Sequence, residues 1–124
     1  MMKNQAYRMA MLFDFYGDLL TERQKEFYDL YYNEDLSLAE IAENYGISRQ
    51  GVRDVIVRAE AAMTEIEDKT HIIRRFKQTQ KEVTAIEAAA DRLLKMVNER
   101  SYSDAALDEI AHLIKENAAK IIQE

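Results

Sequence analysis

Apolar positions recur along this chain at helical spacing, and no segment shows the strict alternation that is typical of a half-buried strand. The chain contains no proline, the residue that most strongly interrupts a helix. We therefore expect an all-α protein with five or six helices. The first is predicted over residues 4–16, where apolar side chains are too numerous for one narrow stripe.

Residues that favour helix ends divide the first half of the chain. Thr21 and Ser37 are each followed three residues later by Gln or Glu, which is the spacing of a capping box. Ser48 suits the N-cap of a further helix. Gly17 and Gly46 suit the left-handed backbone that ends a helix. These signals predict a short helix from residue 38, a tight turn, and a further helix that begins at residue 49.

The turn between these two helices has the pattern of a helix-turn-helix motif. A small residue, Ala42, lies where the helices would cross, Gly46 supplies the turn, and Ile47 follows it. Val52 and Val55 then lie on the inner face of the second helix. An ordinary corner between two helices that binds nothing has the same packing requirements, and this alternative stays open.

The second half of the chain differs in composition, and we place a domain boundary near residue 67, between a helix-turn-helix domain (residues 1–66) and a helical hairpin (residues 67–124). Asp68-Lys69-Thr70 is the expected break. A heptad pattern predicts one long helix, with apolar positions Ile72, Phe76, Thr79, Val83, Ile86, Ala90, Leu93 and Val97. A last helix, capped by Ser103, has the predicted stripe Leu107, Ala111, Ile114, Ala118 and Ile121. Because the last helix is shorter than the heptad helix, a second chain or the first domain is needed to bury the remaining stripe, and of these we expect a homodimer.

The charge distribution limits any nucleic-acid role to local patches. The net charge is −6, and residues 1–66 carry seven Lys and Arg against twelve Asp and Glu. One candidate patch is Ser48, Arg49, Gln50, Arg53 and Arg58, side chains that recognise phosphates and base edges in a major groove. A second is Lys69, Arg74, Arg75, Lys77 and Lys81, where residues 69–81 contain no acidic side chain. Either patch has the alternative interpretation of a solvated helix face, and Asp54 and Glu60 weaken the first.

The sequence offers little support for an enzyme. Its three glycines are isolated and form no phosphate loop, and its two histidines are far apart with no cysteine nearby. We therefore expect no catalytic residue, no metal and no cofactor. Apolar runs are far shorter than a membrane span, and no signal peptide is evident, so we expect a cytoplasmic protein without membrane insertion.

The first domain contains LTERQ at residues 20–24, LAEIA at residues 38–42, GIS at residues 46–48, VR at residues 52–53 and RA at residues 58–59. These segments resemble region 4 of the bacterial sigma factors, which reads promoter DNA. The resemblance implies a sigma-region-4-like helix-turn-helix. Asp54 departs from this family's pattern, since a small polar residue is usual there.

Longer segments are similar to the YlxM family of bacterial helix-turn-helix proteins. They are the aromatic opening at residues 7–17, YYNEDLSLAEIA at residues 31–42 and SRQGVRD at residues 48–54. This resemblance implies a small cytoplasmic protein whose gene tends to lie beside those of the signal recognition particle GTPases, and hence signal recognition particle components as partners.

We therefore expect a nucleic-acid-binding or regulatory protein whose partner is DNA or RNA, acting in the signal recognition particle pathway. One alternative is a DNA-binding transcription regulator. Another is a helix-turn-helix fold used only for contacts between proteins. Loss of sequence discrimination on Arg53→Ala separates the DNA reader from the other two.

Overall fold

The computed structural model describes residues 6–123, and 87% of these residues are helical. The described range contains α-helices and no strand, which confirms the all-α prediction. The helices are α1 (Ala6–Tyr16), α2 (Glu22–Tyr32), α3 (Leu38–Tyr45), α4 (Arg49–Thr70), α5 (Ile72–Glu99) and α6 (Asp104–Gln123), with a short 3-10 helix at Gly17–Leu19. Residues 4 and 5 of the predicted first helix lie outside the described residues.

The chain forms two compact units, of which the first ends at Ile73 and the second begins at Arg74. The first unit contains α1 to α4 and the start of α5. The second contains the rest of α5 and all of α6. Residue 66, where the sequence analysis ends the first domain, lies within α4. The helix continues to Thr70, and the break comes at His71, one residue after the predicted segment.

The core of the first unit surrounds α4, which packs against α1, α2 and α3. Four residues of α4 are fully buried at helical spacing: Val52, Ile56, Ala59 and Met63. They share one hydrophobic cluster with residues of the other helices, namely Met9, Leu12, Tyr16, Phe27, Tyr28, Ile41, Ala42 and Ile73. Apolar spacing of 3 and 4 residues places one face of α4 in this cluster and leaves the opposite face exposed.

Buried tyrosines connect the helices of this core. Tyr28 stacks on Phe13 with ring centroids 5.1 Å apart, and its hydroxyl donates to the Met9 carbonyl oxygen at 2.8 Å. Burial raises the pKa of Tyr28 above its ordinary value of 10.0. The Tyr32 hydroxyl donates to Glu60 of α4, and burial together with this hydrogen bond raises the pKa of Tyr32. Each hydroxyl thus has an acceptor, as buried polar groups require.

One predicted helix end is wrong. Gly17 does not have left-handed backbone but begins the 3-10 helix, and among the described residues Gly46 is the glycine with positive φ. Gly17 is buried, and a Cβ atom built there would lie 3.0 Å from the Phe13 ring. The physical reason for this glycine is therefore close packing against an aromatic side chain.

The second unit is a pair of helices, joined by residues 100–103. Ser103 caps α6 as predicted, because its Oγ accepts from the Ala106 N–H at 3.1 Å. Arg92 of α5 lies 3.7 Å from Glu109 of α6. The buried side chains are Ala89, Ile110 and Glu82.

The predicted stripes of these two helices are partly wrong. On α6, Ile110 is fully buried, whereas the predicted Leu107 is 38% exposed. On α5, Ile86 and Leu93 of the heptad are half-buried, but Phe76, Val83 and Val97 are exposed. Thr79, Ile86 and Leu93 form one row of the heptad and are half-buried, whereas the row of Phe76, Val83 and Val97 is exposed, so only one side of the apolar face is covered. In the described residues, no helix is both long enough and apolar enough to cross a membrane.

Candidate nucleic-acid interface

The local sequence sets the ends of α3 and α4. Ser37 Oγ accepts from the Glu40 N–H, and the Glu40 carboxylate accepts from the Ser37 N–H, both at 3.1 Å, which confirms the predicted capping box. Gly46 ends α3 with φ of 66°, the left-handed conformation expected of it. Ser48 Oγ then accepts from the Gly51 N–H at 2.9 Å and starts α4. These caps leave three residues between the end of α3 at Tyr45 and the start of α4 at Arg49.

Packing between α3 and α4 holds the motif together. Ala42 is 5% exposed and Val52 is fully buried, so both lie inside as the motif requires. Ile47 and Val55 pack partly buried against the same cluster. The inner positions of the predicted helix-turn-helix are therefore filled by apolar groups, and the outer face of α4 is left for other contacts.

An open groove of about 700 Å³ lies beside the start of α4. Four of the predicted site residues line it: Ser48, Arg49, Gln50 and Arg53. The opposite wall comes from α2, from the Ser37 cap and from the first turn of α3, namely Tyr31, Ser37, Leu38 and Ala39. The structure therefore brings the starts of two helices and two guanidinium groups to one concave surface.

The groove's chemistry fits an anionic, hydrogen-bonding partner. Backbone N–H groups at a helix start carry partial positive charge. Arg49 and Arg53 add two full positive charges, and each guanidinium can bond a phosphate or a guanine edge in two places at once. Gln50 donates from Nε2 to Asp54 Oδ1 at 2.9 Å, so this carboxylate holds the amide in the unbound protein.

Arg58 and Gly51 of α4 do not line the groove. Arg58 is exposed, but it lies five residues beyond Arg53 and on another side of the helix. A Cβ atom built at Gly51 would lie 3.2 Å from Ser48 Oγ. The close approach at this glycine is therefore to the helix's own cap, which explains the residue without a bound partner.

Sequence reasoning missed the opposite wall of the groove. Tyr31 lies on the same helix as the fully buried Phe27 but is only half-buried, and it lines the groove. Ser37 was recognised as a cap but not as a groove residue. Two N-cap serines 11 residues apart, on either side of a short helix, are the signal that could have indicated a shared surface.

The second predicted patch is distributed over both units. Lys69 belongs to the first unit, ends α4 and lies 3.0 Å from Glu65, with both side chains exposed. Arg74, Lys77 and Lys81 belong to α5 in the second unit, are exposed, and share one side of the helix at spacings of 3 and 4. Arg75 is exposed on another side. A continuous basic face of three side chains therefore lies on the second unit.

Among residues 6–123, no group of three or more His, Cys, Asp or Glu side chains is placed to hold a metal ion.

The fold and the groove define the chain as a helix-turn-helix protein. Residues 3–102 match the profile of the YlxM- and p13-like helix-turn-helix proteins, UPF0122, and the chain belongs to this family. A UPF0122 protein of Bacillus thuringiensis is 37% identical over 114 residues, which are 92% of this chain and 97% of the relative. One of Desulforamulus reducens is 46% identical over 80 residues, 64% of this chain and 68% of the relative.

Proposed function

We propose that this chain is a nucleic-acid-binding module, not an enzyme, and that it binds duplex DNA through the groove beside α4. The observation that carries the proposal is the convergence of Ser48, Arg49, Gln50 and Arg53 on one groove with the start of α3. In this arrangement a DNA phosphate lies at the helix starts, while the first turn of α4 faces base edges in the major groove. The helix-turn-helix family supports nucleic-acid binding.

Two arginines on α4 allow a controlled test. Arg53 lines the groove and Arg58 does not, yet Arg53→Ala and Arg58→Ala remove the same charge from the same helix. A binding site is first selected from a random duplex pool, and affinity is then measured by fluorescence anisotropy. Arg53→Ala is expected to weaken binding about 5- to 150-fold and to relax sequence preference. Arg58→Ala is expected to change affinity less than about threefold. Equal losses of affinity in the two variants contradict recognition by the groove. If the selection yields no preferred sequence, sequence-specific DNA binding is contradicted altogether.

RNA is a second candidate target, and the basic face of α5 favours it. Arg74, Lys77 and Lys81 follow one another along one side of the helix, as required to contact successive backbone phosphates. The family resemblance implies a cytoplasmic protein of the signal recognition particle pathway, so the RNA of that particle is the first probe. Protein components of the particle are the corresponding protein partners to test.

The RNA proposal is tested through the salt dependence of binding. Replacing Arg74, Lys77 and Lys81 by Ala is expected to make the negative slope of log K against log salt shallower by up to about 2 to 3. Each lost phosphate contact reduces the magnitude of the slope by about 0.7 to 0.9. Lys115→Ala with Lys120→Ala on α6 is the control for lost positive charge, compared per charge removed, since both side chains are exposed. If the control variant reduces the magnitude of the slope as much per charge, a specific RNA-binding face on α5 is contradicted. Binding unchanged in all variants favours a fold used for protein contacts.

We also propose that the protein is a homodimer through α5. Phe76, Val83 and Val97 are spaced by multiples of seven and are 42%, 42% and 55% exposed, with Leu94 beside them at 62%. Such a seam suits pairing with a second helix of the same kind. Sedimentation equilibrium of the parent and of Val83→Asp tests the proposal. The parent is expected to sediment at twice the chain mass and the variant at the chain mass, and a monomeric parent contradicts it.

A further inference from the structure

The joint between α4 and α5 is one residue long. α4 ends at Thr70, α5 begins at Ile72, and His71 between them has left-handed backbone with φ of 55°. Left-handed backbone is unfavourable for a residue with a Cβ atom, and residues 65–77 contain no glycine or proline. The local sequence thus favours one continuous helix, and contacts from elsewhere in the fold hold it broken.

Two side chains of α4 cap the start of α5. Glu67 Oε1 accepts from the Ile73 N–H at 2.9 Å, and Thr70 Oγ1 accepts from the Ile72 N–H at 3.4 Å. In a continuous helix, these N–H groups would instead bond backbone carbonyls four residues earlier. The two side chains therefore replace the hydrogen bonds that the break removes.

A residue from α1 positions both capping side chains. The Tyr16 side chain is 3% exposed, its hydroxyl donates to Glu67 Oε1, and the same oxygen lies 3.1 Å from Thr70 Oγ1. Ile73, the first buried residue of α5, is 7% exposed and belongs to the same core cluster as Tyr16. The break thus depends on a contact more than 50 residues distant in the sequence.

We propose that Tyr16, Glu67 and Thr70 form a latch that keeps α4 and α5 separate at His71, and that releasing the latch joins them into one helix. Both states satisfy the N–H groups of Ile72 and Ile73, through side chains when latched and through the backbone when released. The latch therefore decides whether α4 ends at Thr70 or continues through His71. This proposal does not depend on nucleic-acid binding.

The absence of cysteine allows a direct distance measurement. Ala61→Cys and Thr84→Cys place spin labels at two exposed positions on either side of the joint. In a continuous helix their Cα atoms would lie about 35 Å apart, at 1.5 Å per residue. Double electron–electron resonance of the released variant, Tyr16→Phe with Glu67→Ala, is expected to show a larger population near that distance than the parent shows. Tyr28→Phe is the control, because it removes a buried tyrosine hydroxyl that donates to Met9 and not to the joint.

A rescue variant separates the latch from general loosening. His71→Gly favours the left-handed conformation, so adding it to the released variant is expected to reduce the 35 Å population. An unchanged distribution in the released variant overturns the proposal, and so does a broad distribution with no maximum near 35 Å. Circular dichroism checks that the released variant is folded. If it is not, Tyr16→Phe alone is measured, with the same expectation at smaller amplitude and the same two overturning outcomes.

Discussion

In the first unit α4 packs against three other helices, whereas in the second unit α5 meets α6, as the contact of Arg92 with Glu109 shows. The first core contains large, fully buried side chains such as Tyr28, Phe27 and Ile56. The second contains Ala89 and Ile110, together with the charged Glu82. Phe76 and Leu94 of α5 remain exposed at 42% and 62%. Several helices around a central one enclose a core, but two helices alone leave one apolar side of each uncovered.

The largest effect on stability is expected from a cavity in the core of the first unit. Ile56→Ala is expected to lower the free energy of unfolding of this unit by about 2 to 5 kcal/mol, because Ile56 is fully buried. Val57→Ala is the matched control, since Val57 is 37% exposed, and its effect should stay within about 0.5 kcal/mol. Urea denaturation followed by circular dichroism measures both. Similar midpoints for the two variants contradict a tightly packed core around α4.

In the second unit, a charge-removing substitution is expected to stabilise the fold. Glu82 is 3% exposed, its Oε1 accepts from Gln78 at 3.1 Å, and its Oε2 has no partner among the described residues. A buried polar atom without a hydrogen bond costs about 1 to 3 kcal/mol, so Glu82→Met should raise the unfolding midpoint. Glu87→Met makes the same change at an exposed position and should have little effect. A midpoint lowered by Glu82→Met alone shows that the carboxylate has a partner in solution.

Alkaline pH is expected to lower the stability of the first unit through Tyr28. The pKa of Tyr28 is raised above 10.0 by burial, so the unfolded chain loses this proton at lower pH than the folded one. The associated stability is complete below pH 10 and falls as pH rises above it, by up to about 1.4 kcal/mol per pH unit for this tyrosine. Tyr28→Phe should reduce the slope of unfolding free energy between pH 10 and 11.5. A slope unchanged by this substitution assigns the alkaline loss to other groups.

Removing a helix cap is expected to give the smallest difference in stability loss between the two units, because a cap acts locally in either unit. Ser37→Ala removes the acceptor of the Glu40 N–H, and Ser103→Ala removes that of the Ala106 N–H. Each should cost its own unit about 1 kcal/mol. Amide hydrogen exchange, compared between α3 and α6, measures the loss in each unit separately. A cost confined to Ser37→Ala would mean that α6 is frayed at its start in the folded protein.

The features that sequence analysis predicted well depend on neighbouring residues. The capping boxes at Thr21 and Ser37, the left-handed Gly46 and the N-cap Ser48 all form as expected, because each is a hydrogen bond or a backbone conformation within four residues. Periodicity predicted α5 closely, from residue 72 almost to its observed end at Glu99. Side-chain types also indicated the part of the groove formed by the start of α4.

The features that it mispredicted depend on what another helix covers. Gly17 looks like a helix end, but the Phe13 ring decides its role. The stripe on α6 is displaced because Ile110, and not Leu107, is buried. Periodicity shows that a face is apolar without showing which side of it a neighbour covers.

The sequence by itself therefore determined the helical class, the caps and the helix-turn-helix turn, since these are set by local propensity and by hydrogen bonds over a few residues. The tertiary structure decided where α4 ends, because Tyr16 of α1 binds the side chains that cap α5. It also decided that Tyr31 and Ser37 join the groove with Arg49 and Arg53. Contacts between distant segments form only when the helices pack together, and no local pattern encodes that geometry.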